Sequence, residues 1–399
     1  MALIKNKNAL NALYIGFLCS VSYLAVYFAR NILSAVSPEM LEGGFDTEYL
    51  GQASSLYFIT YAVGQLINGL IGNKVPAKIM IGSGLILAGI LNLVFPLIIS
   101  ESPTGALVVY AFIGFFLSMI YAPMTRVVAE NTDPMYTHRC SLGYTFSEFL
   151  GTPLAGIAAA FLTWQSTFFS GSAFLCIMGC IIFAVFTSFE KKGIISASPV
   201  VVKAADGKAR FGVLLKRGIV KFTLISIITG VVRTSVVFWM PTYISQKLEF
   251  SAETSSLIFT VATFVIAFST FVSVFTYERL GRSMDLTLFV MFIASSVFFI
   301  LLFFVKTPIF NILFLVLAIM SSNSAASMIW ARYCPGLRDT GMVSGVTGFL
   351  DFVSYLSASV SSTLFAGAVE SIGWNKLILI WAGLMVFGVV ISIPKRRNS

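Results

Sequence analysis

Apolar residues run along this chain in twelve blocks, separated by short polar intervals and by one long one. The blocks fall at approximately 10–36, 47–72, 77–99, 105–129, 140–163, 166–188, 219–245, 253–276, 284–305, 308–330, 340–368 and 374–393. Lengths of about 20 residues are what a helix rising ~1.5 Å per residue needs to cross a hydrocarbon layer of ~30 Å, so the pattern predicts twelve membrane-spanning helices. The long polar interval runs from Glu190 to Lys221 and carries Lys191, Lys192, Lys203, Lys208, Arg210, Lys216, Arg217 and Lys221. It predicts a bundle of six helices over 1–189, a linker over 190–218 that includes a stretch of surface helix, and a second six-helix bundle over 219–399.

Composition agrees with that pattern. With 57% hydrophobic and 11% charged residues in 399, the chain holds more apolar side chains than one water-soluble core absorbs. The first 40 residues do not read as a cleaved signal: Lys5 and Lys7 fit a basic start, but the apolar run continues past Arg30. The net charge of +9 is a matter of topology rather than of nucleic-acid binding. With the N-terminus in the cytosol, 21 of the 26 Lys and Arg fall on the cytosolic side. Lys247, Lys306 and Lys376 fall outside, and Arg30 and Arg233 lie within spans. That asymmetry predicts a multi-pass protein of a bacterial inner membrane with both termini cytosolic. The five cysteines lack metal-ligand spacing, the one histidine, His138, sits in a loop, and there is no GxxxxGK[ST]. No enzyme activity, metal or cofactor is expected, and the chain reads as a monomer.

The halves repeat. Arg30 and Arg233 are 203 residues apart, and Pro38 and Pro241, and Glu148 and Asp351, share that offset. "RNILSAVSP" begins at Arg30 and "RTSVVFWMP" at Arg233, and each is followed by a short acidic loop ending in "FDTE" or "FSAE". Phe45 and Phe250 each stand 29 residues before a cation, Lys74 and Arg279. Arg139 and Arg338 then open the fifth and eleventh spans. The expected fold is an all-α membrane protein of twelve transmembrane helices in two pseudo-symmetric halves, the plan of major facilitator transporters, with a site near mid-membrane.

Charges kept within spans mark that site. Tyr23, Tyr27, Arg30 and Ser34 form one polar stripe on the first span, and Ser226 shares a helix face with Arg233 on the seventh. A guanidinium does not shed its charge, so each arginine needs water, a carboxylate or an anionic ligand; two of them offer paired forks to a phosphate, sulfonate or carboxylate. The alternative is a permanent pairing that only holds helices together. Glu148 has Tyr144 one turn before and Thr152 one turn after; Asp351 has Thr347 and Tyr355 in those places. These carboxylates can neutralise the arginines when substrate is absent, bind an ammonium group, or take up a proton. "NKVPAK" and "ERLGR" resemble the loop motif of the major facilitator superfamily, the second copy supplying Glu278, Arg279 and Arg282, the first having Asn73 in place of an acid. A cytosolic gate of Lys74, Arg139, Glu278, Arg279 and Arg338 is expected, with Lys78 either part of it or a topology signal.

Over nearly its whole length the chain resembles the organophosphate:phosphate antiporters, the group of bacterial glycerol-3-phosphate and hexose-phosphate transporters. "SYLAVYFARNILSAVSP", "VVRTSVVFWMPTYI" and "GMVSGVTGFLDFVSYLSASVSSTLFAGAVESIGW" are similar to that family's first, seventh and eleventh helices. The resemblance implies that Arg30 and Arg233 grip a phosphate with Tyr23 and Tyr27 near the substrate. It also marks departures: Asn31 follows Arg30 where the family commonly has lysine, Gln65 stands where a lysine is frequent, and Ser147 or Glu148 replaces a cavity histidine. Tyr61, Gly64 and Gln65 instead look like the anion:cation symporters, which carry sugar acids and other carboxylates with protons.

The expected function is therefore secondary active transport of a small organic anion, an organophosphate or phosphonate with zwitterionic ones included, by alternating access in the lipid bilayer. Phosphate antiport or proton symport would couple it. The expected substrate site comprises Arg30, Arg233, Tyr23, Tyr27, Tyr61, Gln65, Ser147, Glu148, Asp351 and Tyr355, with Glu148 and Asp351 compensating charge or coupling. Two other readings are a proton-coupled carboxylate or sugar-acid symporter and a transporter-like sensor of phosphate esters, for which only the linker and the tail Lys395 to Ser399 offer a docking feature. Export of lipophilic cationic drugs is disfavoured by buried paired arginines.

Overall fold

The computed structural model describes residues 7–71, 75–196, 211–334, 336–337 and 343–394. Lys74 and Arg338 of the expected gate lie outside the described residues, as do Asn73, Lys203, Lys208, Arg210 and the tail 395–399.

Among the described residues every element is helical. A chain in hydrocarbon has no water to satisfy its N–H and C=O groups, and a helix satisfies them within itself. In order, α1 is Lys7–Glu42, α2 Thr47–Ile71 and α3 Ala77–Ile98. Helix α4 runs over Pro103–Leu117 and resumes as Tyr121–Asn131; α5 is Pro134–Phe161 and α6 Trp164–Lys191. A short helix, Phe211–Lys216, precedes α7, which consists of Ile219–Gly230, a π turn over Val231–Val236, and Val237–Leu248. Helix α8 is Ala252–Ile266 followed by Ser269–Arg279, and α9 is Met284–Phe304. Helix α10 is Pro308–Met328, ending in a second π turn, Ile329–Tyr333. The stretch Val343–Ser392 is divided into α11 and α12 at Gly373, whose φ of 76° and ψ of 166° no helix accommodates. These twelve helices coincide with the twelve apolar blocks, and the protein is an all-α membrane protein of the expected kind.

Helix ends follow local chemistry. Ser102, Thr163, Ser251 and Ser283 each accept a hydrogen bond from the backbone three residues on, capping α4, α6, α8 and α9. Proline takes the first turn of α4, α5 and α10, where its missing N–H has no intrahelical partner to lose. Helix α1 outruns its apolar block by six residues, continuing through Pro38 to Glu42. The hydropathy pattern stops where the side chains turn polar, whereas the backbone continues until the glycines at 43 and 44, the second with φ of 92°.

By packing, the chain divides into two compact units: residues 1–43 with 56–203, and residues 44–55 with 204–399. In the first, α1 crosses α5 at near-contact. A Cβ on Gly16 would stand 2.6 Å from Cys140 Sγ, and one on Gly151 would stand 2.5 Å from Tyr27 Cβ. Aromatic rings fill the rest of this unit: Phe95 lies 5.0 Å from Tyr110 and 4.9 Å from Phe168. Lys78 pairs with Glu190, joining the start of α3 to the end of α6. In the second unit, α7 crosses α11 where a Cβ on Gly230 would stand 2.5 Å from Ser354 O. Trp381 packs on Phe299 and Phe365, and Lys221 pairs with Asp285 at 2.9 Å. The first residues of α2 belong to this unit through hydroxyl contacts, Ser54 to Ser362 at 3.2 Å and Ser55 to Ser359 at 2.9 Å.

Candidate functional site

In the first unit α1 carries the polar stripe read from the sequence, and its neighbours turn that stripe into an aromatic chamber. The Arg30 guanidinium carbon lies 5.2 Å from the centre of the Tyr27 ring, 5.2 Å from that of Tyr61 and 5.6 Å from that of Phe58. Ring faces carry negative charge, and each such contact contributes about 0.5–2 kcal/mol, more when water is excluded. Contacts of this kind hold the guanidinium against rings of α1 and α2. One helical turn away, the Tyr27 hydroxyl donates to Glu148 Oε1 at 2.6 Å, a length typical of a hydrogen bond to an ionised carboxylate. Tyr23 sits between Tyr27, Tyr121 and Tyr144 at centroid distances of 5.0, 5.5 and 6.2 Å. Tyr23, Tyr27, Tyr61 and Tyr144 are buried, while Arg30 and Glu148 are half-buried.

Of the expected residues of this unit, Tyr23, Tyr27, Arg30, Tyr61 and Glu148 come together. Gln65 is half-buried one turn after Tyr61 on α2. Ser147 turns aside: its hydroxyl donates to Gly143 O at 3.0 Å within α5, and its side chain lines a groove toward α1 instead of facing Arg30. Asn31, where the resembling family has lysine, donates to Tyr27 O at 2.7 Å and so stays on its own helix. Phe58 and Tyr121 were not singled out from the sequence. Phe58 was legible as the residue one turn before Tyr61 on the same face; Tyr121 follows the break in α4, which no apolar pattern marks.

In the second unit Arg233 lies within the π turn of α7, half-buried. A π turn adds a residue to one helical turn and re-aims the side chains around it, a local cost often found at functional positions. Serines tie this helix to α11: Ser226 Oγ donates to Leu350 O at 2.7 Å and Ser235 Oγ to Ala358 O at 2.8 Å. Ser226, expected beside Arg233 as part of a polar face, is thus a packing hydroxyl. Asp351 is half-buried and Tyr355 buried, one turn apart on α11.

At the helix ends that carry the loop motifs, Glu278 and Arg279 are exposed, with Arg279 5.1 Å from the Phe275 ring centre. The turn after them places Gly281 and Arg282 at φ of 65° and 58°, the left-handed backbone of a tight reversal. Arg139 is exposed on the first turns of α5, 5.9 Å from the Tyr136 ring centre. Two cations near these loops escaped the sequence reading. Arg126 at the end of α4 donates to Val75 O at 3.2 Å and lies 3.8 Å from Glu130. Arg332 lies 4.7 Å from the Tyr277 ring centre. The i,i+4 spacing of Arg126 and Glu130 was the available signal for the first.

The described helices include nine stretches long and apolar enough to cross a membrane, and with Arg30 and Glu148 held in one unit and Arg233 and Asp351 in the other they define a membrane transport protein rather than an enzyme. Residues 19–362 match the Major Facilitator Superfamily, and the chain belongs to that family. It is 23% identical to the phosphoglycerate transporter protein of Salmonella typhimurium over 95% of this chain and 88% of that protein. It is 33% identical to the membrane sensor protein UhpC of the same organism over 19% of this chain and 17% of that protein. Among solved structures, a bacterial homologue of the human lysosomal transporter Spinster superposes with a TM-score of 0.76 at 12% identity, covering 95% of this chain and 96% of that one, a likeness of fold alone.

Proposed function

We propose that the protein is a secondary active transporter that moves a small organophosphate or phosphonate, zwitterionic ones included, across a bacterial inner membrane by alternating access, with both termini cytosolic. The observation that carries this reading is the clasp of Arg30 by the Tyr27, Tyr61 and Phe58 rings beside Glu148. Such a clasp positions a permanent cation, and the planar fork of a guanidinium suits a ligand offering two anionic oxygens. Arg233, at the same place in the repeat, is proposed as the second cation. The two bundles, 1–189 and 219–399, would rock about the substrate, with Glu148 and Asp351 neutralising the arginines in the empty state. Likeness to a phosphoglycerate transporter over almost the whole chain supports the substrate class. Gln65 and Tyr355 would complete the site, and Glu278 and Arg279 with Lys74 and Arg338 the gate.

The test is uptake of labelled 3-phosphoglycerate and glycerol 3-phosphate into proteoliposomes, alongside a phosphonate, a sulfonate and a sugar acid. Inorganic phosphate inside the vesicles, or an inward proton gradient with no phosphate, separates antiport from symport. No uptake of any phosphorylated compound, with a sugar acid transported instead, refutes the reading in favour of a carboxylate symporter. The segment shared with a membrane sensor supports a second reading, reception without transport. Saturable binding of a phosphate ester with no flux at all would establish it.

A further inference from the structure

Helices α1 and α5 leave a groove along one side of their crossing. It encloses about 490 Å³ and is lined on α1 by residues from Ala9 to Leu24 and on α5 by residues from Tyr136 to Ser147. The sixteen residues from Ala9 to Leu24 make it roughly 22 Å long, more than the ~15 Å of one leaflet's hydrocarbon. Its volume lies within the range of about 300–1,000 Å³ usual for pockets that hold an organic molecule. The floor is where the helices nearly touch: a Cβ on Gly16 would stand 2.6 Å from Cys140 Sγ, and one on Gly143 2.7 Å from Ser20 Oγ. The rims are large apolar side chains, Leu13, Phe17 and Phe146, exposed by 62, 67 and 60%. Among the described residues that line it, the one charged side chain is Arg139, exposed on the first turns of α5 beside the Tyr136 ring.

An apolar concavity at membrane depth does not hold water, which would lack hydrogen-bonding partners there. Left empty, it forfeits the dispersion contacts of its whole lining. A hydrocarbon chain satisfies it. An arginine and a tyrosine at the end where α5 begins are the pair expected at a membrane interface, where they meet lipid headgroups. We infer that this groove binds one acyl chain of an anionic phospholipid, drawn from the leaflet on the side of the chain's N-terminus, with the headgroup phosphate on Arg139. This gives Arg139 a ligand in place of the gating role expected from the sequence, and it is independent of which solute the protein carries.

The intact protein in liposomes doped with a photoreactive phosphatidylglycerol, or with phosphatidylcholine bearing the same diazirine chain, tests the site directly. After irradiation and digestion, label is expected on the peptides covering 9–24 and 136–147, above the level on other exposed apolar faces such as Phe304, Ile309 and Phe310. A phosphatidylglycerol signal about five-fold above that of phosphatidylcholine is expected from one surface cation. Arg139→Gln should bring the two lipids to equal labelling, with thermal stability and elution volume confirming that the variant is folded. Label spread evenly over the lipid-facing helices overturns the groove. Enrichment in the groove that is the same for both lipids, or undiminished in Arg139→Gln, overturns the headgroup assignment.

Discussion

Replacing Gly151 with alanine would separate the contact of α1 with α5 from the chemistry beside it. The added Cβ would stand 2.5 Å from Tyr27 Cβ, 2.8 Å from Phe28 N and 2.9 Å from Tyr27 C, so backbone, not a flexible side-chain tip, resists it. Carbon atoms rest at ~3.5–4.0 Å, so the helices must part by about 1 Å at this point. The same displacement stretches the Tyr27–Glu148 hydrogen bond, now 2.6 Å, to about 3.6 Å, beyond the reach of an O–H···O bond. Overpacking costs ~1–3 kcal/mol, of which the better helix propensity of alanine offsets up to ~1 kcal/mol, so stability alone is a blunt readout. Affinity is the sharper one. A hydrogen bond to a charged group contributes ~1.5–3 kcal/mol, roughly 10- to 150-fold in binding if the positioned carboxylate supports the substrate-bound arrangement. Tyr27→Phe removes the same bond with no steric change. Calorimetric or fluorescence titration with 3-phosphoglycerate, or with whichever ester binds tightest, should show similar affinity losses for both single variants. The double variant should bind no worse than either, because the two changes break one interaction. Wild-type affinity in Gly151→Ala, or losses that multiply in the double variant, would refute the link between helix contact and site.

Three further outcomes follow from named contacts. Arg30→Lys and Arg233→Lys should each lower anion affinity roughly 10- to 150-fold, since lysine keeps the charge and loses the fork; titration showing both within three-fold of wild type would sink the two-arginine site. Ser226→Ala removes the 2.7 Å bond to Leu350 O and should destabilise by about 0.6 kcal/mol, the average for hydrogen bonds between membrane helices, and by no more than about 1.7 kcal/mol, read as the shift in a denaturation curve in detergent. Gly373→Ala puts a Cβ on a residue at φ of 76° and ψ of 166° and should lower the melting temperature through about 1–3 kcal/mol of backbone strain, whereas Gly383→Ala, where a Cβ meets nothing within 4 Å, should not.

The sequence made the helices legible because a spanning helix announces itself by length and hydropathy, and the repeat made the arginines and carboxylates legible because burying charge in hydrocarbon is costly. Less visible was anything decided by contact. Phe58 shares the Tyr61 face of α2, but nothing in its letter shows that its ring lies 5.6 Å from Arg30. Ser147 and Ser226 look like site hydroxyls in a row of letters, yet each donates to a backbone carbonyl at 3.0 and 2.7 Å. The π turn around Arg233 has no compositional mark, because it changes hydrogen-bond register without changing residue type. Arg126 carries no mark in the sequence beyond its spacing to Glu130, although its donor bond to Val75 O holds it beside the start of α3.

The repeat also carries a difference that bears on the two carboxylates. Tyr27 and Gly230 are 203 residues apart, and so are Gly151 and Ser354. The crossing of α1 with α5 and that of α7 with α11 are therefore the same contact, with the glycine supplied by opposite partners. Two helices can approach this closely only if one of them lacks a side chain there. In the first unit the glycine is on α5, which leaves α1 free to carry Tyr27 and to reach Glu148 with its hydroxyl. In the second the glycine is on α7, at the position of Tyr27, so α7 cannot offer Asp351 a phenol from that place. What it meets instead is Ser354 and Ser357, both hydroxyls of α11. The packing requirement is symmetric but its solution is not. Glu148 is consequently held by a phenol at a place where α7 supplies Asp351 none, and equal charge at equal offset does not make the two acids equivalent.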